Sequence, residues 1–161
     1  MPKIIRPKEM GAPLGMYSHG MAAPAGEIVV VAGQVGATPD GQLAGEDVGA
    51  QTKQALANVR AVLEAAGCSL RDVIRLQTFL TRADDIPAFM KARGEVFPDY
   101  FPERAYPPNT LLIVSGLVRP ELRVEIEAMA VKPARRAAAP PKKAAARNRA
   151  RRGSSANARR R

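Results

Sequence analysis

Between Leu122 and Val131 the sequence reads LRVEIEAMAV, an alternation that leaves the chain one placement for this segment. Successive side chains of an extended strand point to opposite faces. Val124, Ile126 and Ala128 therefore go one way, and Arg123, Glu125 and Glu127 go the other. Such a strand needs a sheet with one apolar face under cover. Its second face, part charged and part apolar, asks for a different cover, and association with further copies of the chain supplies one.

The remaining elements follow from spacing. Apolar Val48, Ala55, Val59, Val62, Leu63 and Ala66 recur at helical intervals between Asp47 and Ala66, and Gly67 stands where a left-handed stop is wanted. The run RDVIRLQTFLT is rich in β-branched and aromatic residues and reads as a strand. Asp84 or Asp85 can then cap a second helix, with Pro87 in its first turn, a buried stripe of Ile86, Phe89, Met90, Arg93 and Phe97, and an end before Pro102. Upstream, Ile28 to Val31 form a strand that leads to a turn at Pro39 to Gly41, followed by a short second strand or a loop. Downstream of YPPNT, the runs LLIVSGL and RVEIEAMAV are two further strands, joined through VRPE. The order β(β)-α-β-α-β-β predicts an α+β fold in which two helices cover one face of a mixed sheet.

The stretch YPPNTLL sets Asn109 behind two prolines. They fix φ and withhold backbone donors, which predicts a stiff lead-in just before a strand opening near Leu111. Asn109 either presents its amide to a cleft or closes a turn with it.

At 161 residues the chain suits one domain. No run approaches the roughly 18 apolar residues of a membrane span, and MPKIIRPKEM lacks a secretory core. One cysteine, Cys68, permits no internal disulfide, in keeping with a reducing, cytoplasmic setting. With His19 as the only histidine, a multi-His or multi-Cys zinc site is excluded, and no metal or cofactor is expected. GQVGATPDGQ lacks the lysine of a phosphate loop and is given no nucleotide role. The formal charge of +10 looks like a nucleic-acid binder until it is located. Residues 132–161 hold 12 of the 25 Lys and Arg and no acid, which leaves 13 basic against 15 acidic residues in 1–131. The division is therefore a near-neutral body, 1–131, and a basic Ala/Pro/Arg-rich tail, 132–161. The tail lacks the apolar residues to fold alone, and as a disordered polycation it would hold nucleic acid only non-specifically.

The segments GMYSHG, VVVAGQVGATPDG, QALANVRAVLEAAGCSLRDVIRLQTFL and LIVSGLVRPELRVEIEAMAV, taken in this order and spacing, resemble the RidA (YjgF) family of reactive-intermediate deaminases. The resemblance implies a chorismate-mutase-like fold, a homotrimer, and small-molecule clefts between subunits. It also implies hydrolysis of 2-enamines and 2-imines to keto acids and ammonia without a metal or cofactor. Carried over by position, Tyr17 and the first glutamate of EIEA, Glu125, are the implied catalytic groups. Asn109, Ala32, Gly33 and Met90 are the implied substrate contacts, and Arg93, on the stripe of the second helix, is added from its own position as a cation that either points toward the cleft or is solvated or at an interface.

The carry-over has gaps. Asn109 stands where the family places a carboxylate-binding arginine, Ala32 where a serine is frequent, Leu111 where a cysteine is, and Met90 where an asparagine is. A hydrogen bond to a charged group contributes about 1.5–3 kcal/mol, so loss of the arginine predicts roughly ten- to a hundredfold weaker binding of an imino acid. Arg104, Arg75 or Arg93 would have to reach in to make this good. Weak or altered deaminase activity is therefore expected. The alternatives are a metabolite-binding protein without catalysis and a nucleic-acid-associated protein acting through its tail.

Overall fold

A computed structural model describes residues 2–134 of the chain. Six strands and two helices follow in order: β1 (Lys3–Ile5), β2 (Gly20–Ala22), β3 (Gly26–Val35), α1 (Val48–Ala65), β4 (Val73–Leu80), α2 (Ile86–Tyr100), β5 (Asn109–Ile113) and β6 (Val124–Pro133). The main sheet has the order β3-β6-β4-β5, with β6 antiparallel to both neighbours and β4 parallel to β5. It is thus the expected mixed sheet. Buried Val124, Ile126, Ala128 and Ala130 of β6 join Leu76 and Leu80 of β4 in the core, against Leu56, Val59 and Leu63 of α1 and Phe89 and Phe97 of α2.

The first helix begins and ends as its sequence predicts. Asp47 accepts from the Ala50 amide at 2.8 Å. At the other end Gly67 takes φ of +74°, its amide donates to Glu64 O at 2.9 Å, and Cys68 N donates to Leu63 O at 2.8 Å. Helix and sheet approach so closely that a Cβ on Gly36 would lie 2.4 Å from the Gln51 Cβ. Gln51 is fully buried. Its amide donates to Gly45 O and Glu121 O and accepts from Arg123 N, which ties α1 to the loop that enters β6.

Several local expectations are corrected. Asp85 occupies the N-cap of α2, but its carboxylate does not cap, because it forms a two-pronged pair with Arg123 at the start of β6. Met90 stands at the margin of the α2 stripe and is 40% exposed, while Phe89, Ala92, Arg93 and Phe97 are buried. Asn109 is itself the first residue of β5, opposite Leu76, rather than part of a lead-in. The turn at Gly41 closes with one bridge, Ala37 to Leu43, and no full second strand. The small β1-β2 pair was not anticipated, since three-residue strands carry too few positions for a pattern. β6 runs on through Pro133, and residues 135–161 of the basic tail lie outside the described residues. No helix among the described residues is long and apolar enough to cross a membrane.

A left-handed residue with a Cβ is strained by roughly 1–2 kcal/mol. Gly67→Ala should therefore lower the unfolding free energy by that amount, read as a lower denaturation midpoint at an unchanged m-value. Equal midpoints would show that the α1 stop does not depend on glycine.

Candidate functional site

β5 pairs only with β4 and so forms an edge of the sheet. The pairs Leu76–Asn109 and Thr78–Leu111 set Asn109 and Leu111 on the helix-covered face, because Leu76 and Thr78 are buried there. Thr110 and Leu112, opposite Gln77 and Phe79, turn to the other face. Beside the buried set, the segment around Tyr17 and the flank of α2 enclose a cleft of about 540 Å³. Tyr17, Met90, Arg93 and Asn109 line it together with Leu14, Met16 and Leu111. Four of the seven residues singled out in the sequence meet here.

Arg93 is the unusual member. It is only 5% exposed, and its guanidinium carbon lies over the rings of Phe89 and Phe97, at 5.5 and 5.1 Å from their centroids. These are the residues one helical turn before and after it. Among the described residues no carboxylate pairs with it, and its Nε is buried without a hydrogen-bond partner. Burial pulls its pKa below the ordinary arginine value, and the neighbouring Tyr106 opposes part of that pull. The group nevertheless keeps its charge, since a guanidinium is not deprotonated in proteins.

Asn109 braces this cation. With its amide nitrogen donating to Leu76 O at 3.2 Å and to Thr78 Oγ1 at 3.1 Å, its oxygen accepts from Arg93 Nη1 at 3.3 Å. The reverse orientation sets the amide nitrogen against the guanidinium, donor to donor, which physical chemistry disfavours. The lead-in is fixed as well: Leu76 N donates to Pro108 O at 2.8 Å.

Glu125, Gly33 and Ala32 are elsewhere. Glu125 pairs with Val35 on one side and Phe79 on the other, on the sheet face that no helix covers. An irregularity in β3 between Val31 and Gln34 brings Gly33 beneath its side chain. A Cβ on Gly33 would sit 1.7 Å from Glu125 Oε1, so the carboxylate occupies the space that glycine leaves. The same open face is apolar at Leu112, across β4 from Glu125, and further along β3 at Ile28 and Val30, which are 41%, 65% and 67% exposed. Within one protomer the sheet therefore separates the Arg93 cleft from Glu125.

The other weighed arginines do not reach the cleft. Arg75 lines a groove on the open face with Ala32, Gln77 and Glu127, and Arg104 lines an adjoining cavity with Arg6, His19 and Tyr106, on the other side of the Gly15 and Tyr17 wall that it shares with the cleft. Among the described residues no three His, Cys, Asp or Glu side chains gather as metal ligands would. Thr78, which orients Asn109, was not singled out from sequence, where it is one threonine among strand residues.

The chain matches the family described as Endoribonuclease L-PSP over residues 8–132. It is 33% identical over 134 residues to the 2-iminobutanoate/2-iminopropanoate deaminase of Salmonella typhimurium, covering 82% of this chain and 99% of that one. The chain belongs to the RidA/YjgF family. A RutC family protein of Pyrococcus horikoshii is 38% identical over 133 residues, covering 82% of this chain and 99% of its own. Among solved structures, the Rid family protein YyfB of Yersinia pestis superposes with a TM-score of 0.71 at 34% identity, covering 81% of this chain and 98% of that one. Escherichia coli TdcF with bound serine superposes with a TM-score of 0.61 at 30% identity, covering 81% and 99%. The α+β fold of this RidA-family chain is that of its relatives.

A buried charge without a counter-ion costs several kcal/mol, and contacts with two rings at about 1 kcal/mol each do not offset it fully. Arg93→Met, similar in length and apolar, should leave the stability of the ligand-free protein within about 1 kcal/mol of wild type or raise it. Chemical denaturation checks this, and a loss of several kcal/mol would mark Arg93 as a structural residue only.

Proposed function

We propose that this RidA-family protein hydrolyses 2-imino acids, and their enamine tautomers, to 2-keto acids and ammonia in a cleft that two copies of the chain complete. The observation that carries this reading is the division of the site: a buried cation lines an open cleft on one side of the sheet, and a glutamate lies over a glycine on an uncovered, partly apolar face. Leu14 at the rim of the cleft is 99% exposed in a single protomer, a position that a second copy would cover. The relatives named as 2-iminobutanoate/2-iminopropanoate deaminases support the reaction, the resemblance supports three copies, and the lone cysteine Cys68 supports a cytoplasmic setting.

In this assembly Tyr17 lines the cleft and Glu125 of the neighbouring copy faces it. Water adds to C2 of the protonated imine as the Glu125 carboxylate takes its proton, which gives a carbinolamine. Glu125 returns the proton to nitrogen, then takes the hydroxyl proton as the carbonyl forms and the C–N bond breaks, and hands it to the departing ammonia, which leaves as ammonium. Atoms and charge balance without a further reactant. A shielded cleft favours the sequence by holding water and imine together.

A dehydratase that releases 2-aminoacrylate, coupled to keto-acid detection, tests the reaction. The protein should accelerate keto-acid release, and Glu125→Gln should lower kcat by about 10²- to 10⁴-fold, the usual range for loss of a general base. Gly33→Ala should do nearly the same, because its Cβ displaces the Glu125 carboxylate. No acceleration by the wild-type chain, with metabolite binding retained, would replace this reading with that of a non-catalytic binding protein. Size-exclusion chromatography with light scattering that shows only monomer would remove the shared cleft.

A further inference from the structure

We propose that Arg93 is the carboxylate-binding residue of this chain, and that Asn109 is the positioning residue that holds it. The cation has moved from edge strand β5 to helix α2. This inference rests on the deaminase reading above and names how the site binds its substrate.

The argument starts from an unmet need. A guanidinium that is always charged and nearly fully buried calls for an anion, yet among the described residues none pairs with it and its Nε has no acceptor. The Phe89 and Phe97 rings stack on the group but accept no ordinary hydrogen bond. The cleft beside it is open, and its other walls at Leu14, Met16, Met90 and Leu111 are apolar. Nη2 lies 4.0 Å from where a Cβ on Gly15 would stand, so a longer side chain there would crowd the guanidinium from the cleft side. The counter-charge must then come from a ligand.

Asn109 completes the case. Its nitrogen is committed to Leu76 O and Thr78 Oγ1, and its oxygen to Arg93 Nη1, so its polar atoms are occupied within the protomer. It fixes the plane of the guanidinium and leaves the remaining edge for a carboxylate. Of the other arginines weighed, Arg75 lines a groove on the opposite side of the sheet, and Arg104 lines the adjoining cavity beyond Gly15 and Tyr17 rather than the cleft itself. The ligand that fits is anionic at one end and apolar at the other, which selects 2-imino acids with an apolar side chain, seated against Met16, Met90 and Leu111.

The test compares 4-methyl-2-oxopentanoate with its uncharged amide by calorimetry on the full chain, alongside imine hydrolysis. Wild type should bind the acid at least tenfold tighter than the amide. Arg93→Met should abolish that preference and raise KM ten- to a hundredfold with a much smaller change in kcat. Arg93→Lys should keep part of the preference, and adding Asn109→Arg to Arg93→Met should restore it. Equal wild-type binding of acid and amide overturns the inference whether or not any variant folds, as does an Arg93→Met protein that still prefers the acid. The two readings fail separately. An Arg93-dependent preference without turnover keeps the clamp and removes the deaminase reaction, whereas turnover with a KM indifferent to Arg93 does the reverse.

Discussion

Strand β6 is hydrogen-bonded along both edges, and its register is what the rest of the molecule depends on. A slip of one residue would send Glu125 and Glu127 under the helices and bring Val124 and Ile126 to the open face. Burying two unpaired carboxylates costs far more than a marginally stable domain can absorb. The same register sets Glu125 across from Phe79 and Val35 and brings it over Gly33. Arg123, the residue before the strand, is held by Asp85 and by the buried amide of Gln51, so both helices are tied to the point where β6 begins.

A consequence of this layout is that the two charged groups of the proposed reaction stand on opposite sides of one sheet. Had Arg93 and Glu125 shared a face, they would have paired with each other. A buried ion pair neutralises both members, and neither would then be free for a ligand. Separation inside the protomer keeps the cation without its anion and the carboxylate without a cation. In the proposed assembly they meet across a ligand rather than directly. The uncovered apolar residues on the Glu125 face of the sheet and the exposed Leu14 follow from the same plan, since each is unfavourable in an isolated chain.

Much of this was legible in the residues. The α1 stripe, its Gly67 stop and the β6 alternation are period signals spread over many positions, and each has its counterpart in the structure, except that Val62 of the stripe is 38% exposed. The sheet order was not legible, because nothing in a strand's own pattern says that β6 lies between β3 and β4. The role of Asp85 was hidden for a similar reason: a helix cap and an ion pair with a residue 38 positions away ask for the same side chain. Arg93 could have been read further. It lies on an apolar stripe, and its neighbours one turn away, Phe89, Met90, Val96 and Phe97, include no acid. A cation so placed either snorkels or is kept for a partner that the chain lacks.

The substitution at position 109 and the burial of Arg93 are best understood together. An arginine at the first residue of β5 would aim its charge into the cleft that Arg93 already lines, and two guanidiniums there would repel in a medium of low dielectric. Asparagine is short enough to leave the space and offers an oxygen where an arginine offers only donors. The hydroxyl of Thr78 and the carbonyl of Leu76 hold that oxygen toward the cation. The loss on the strand is therefore also the condition for the gain on the helix, and neither change is intelligible alone.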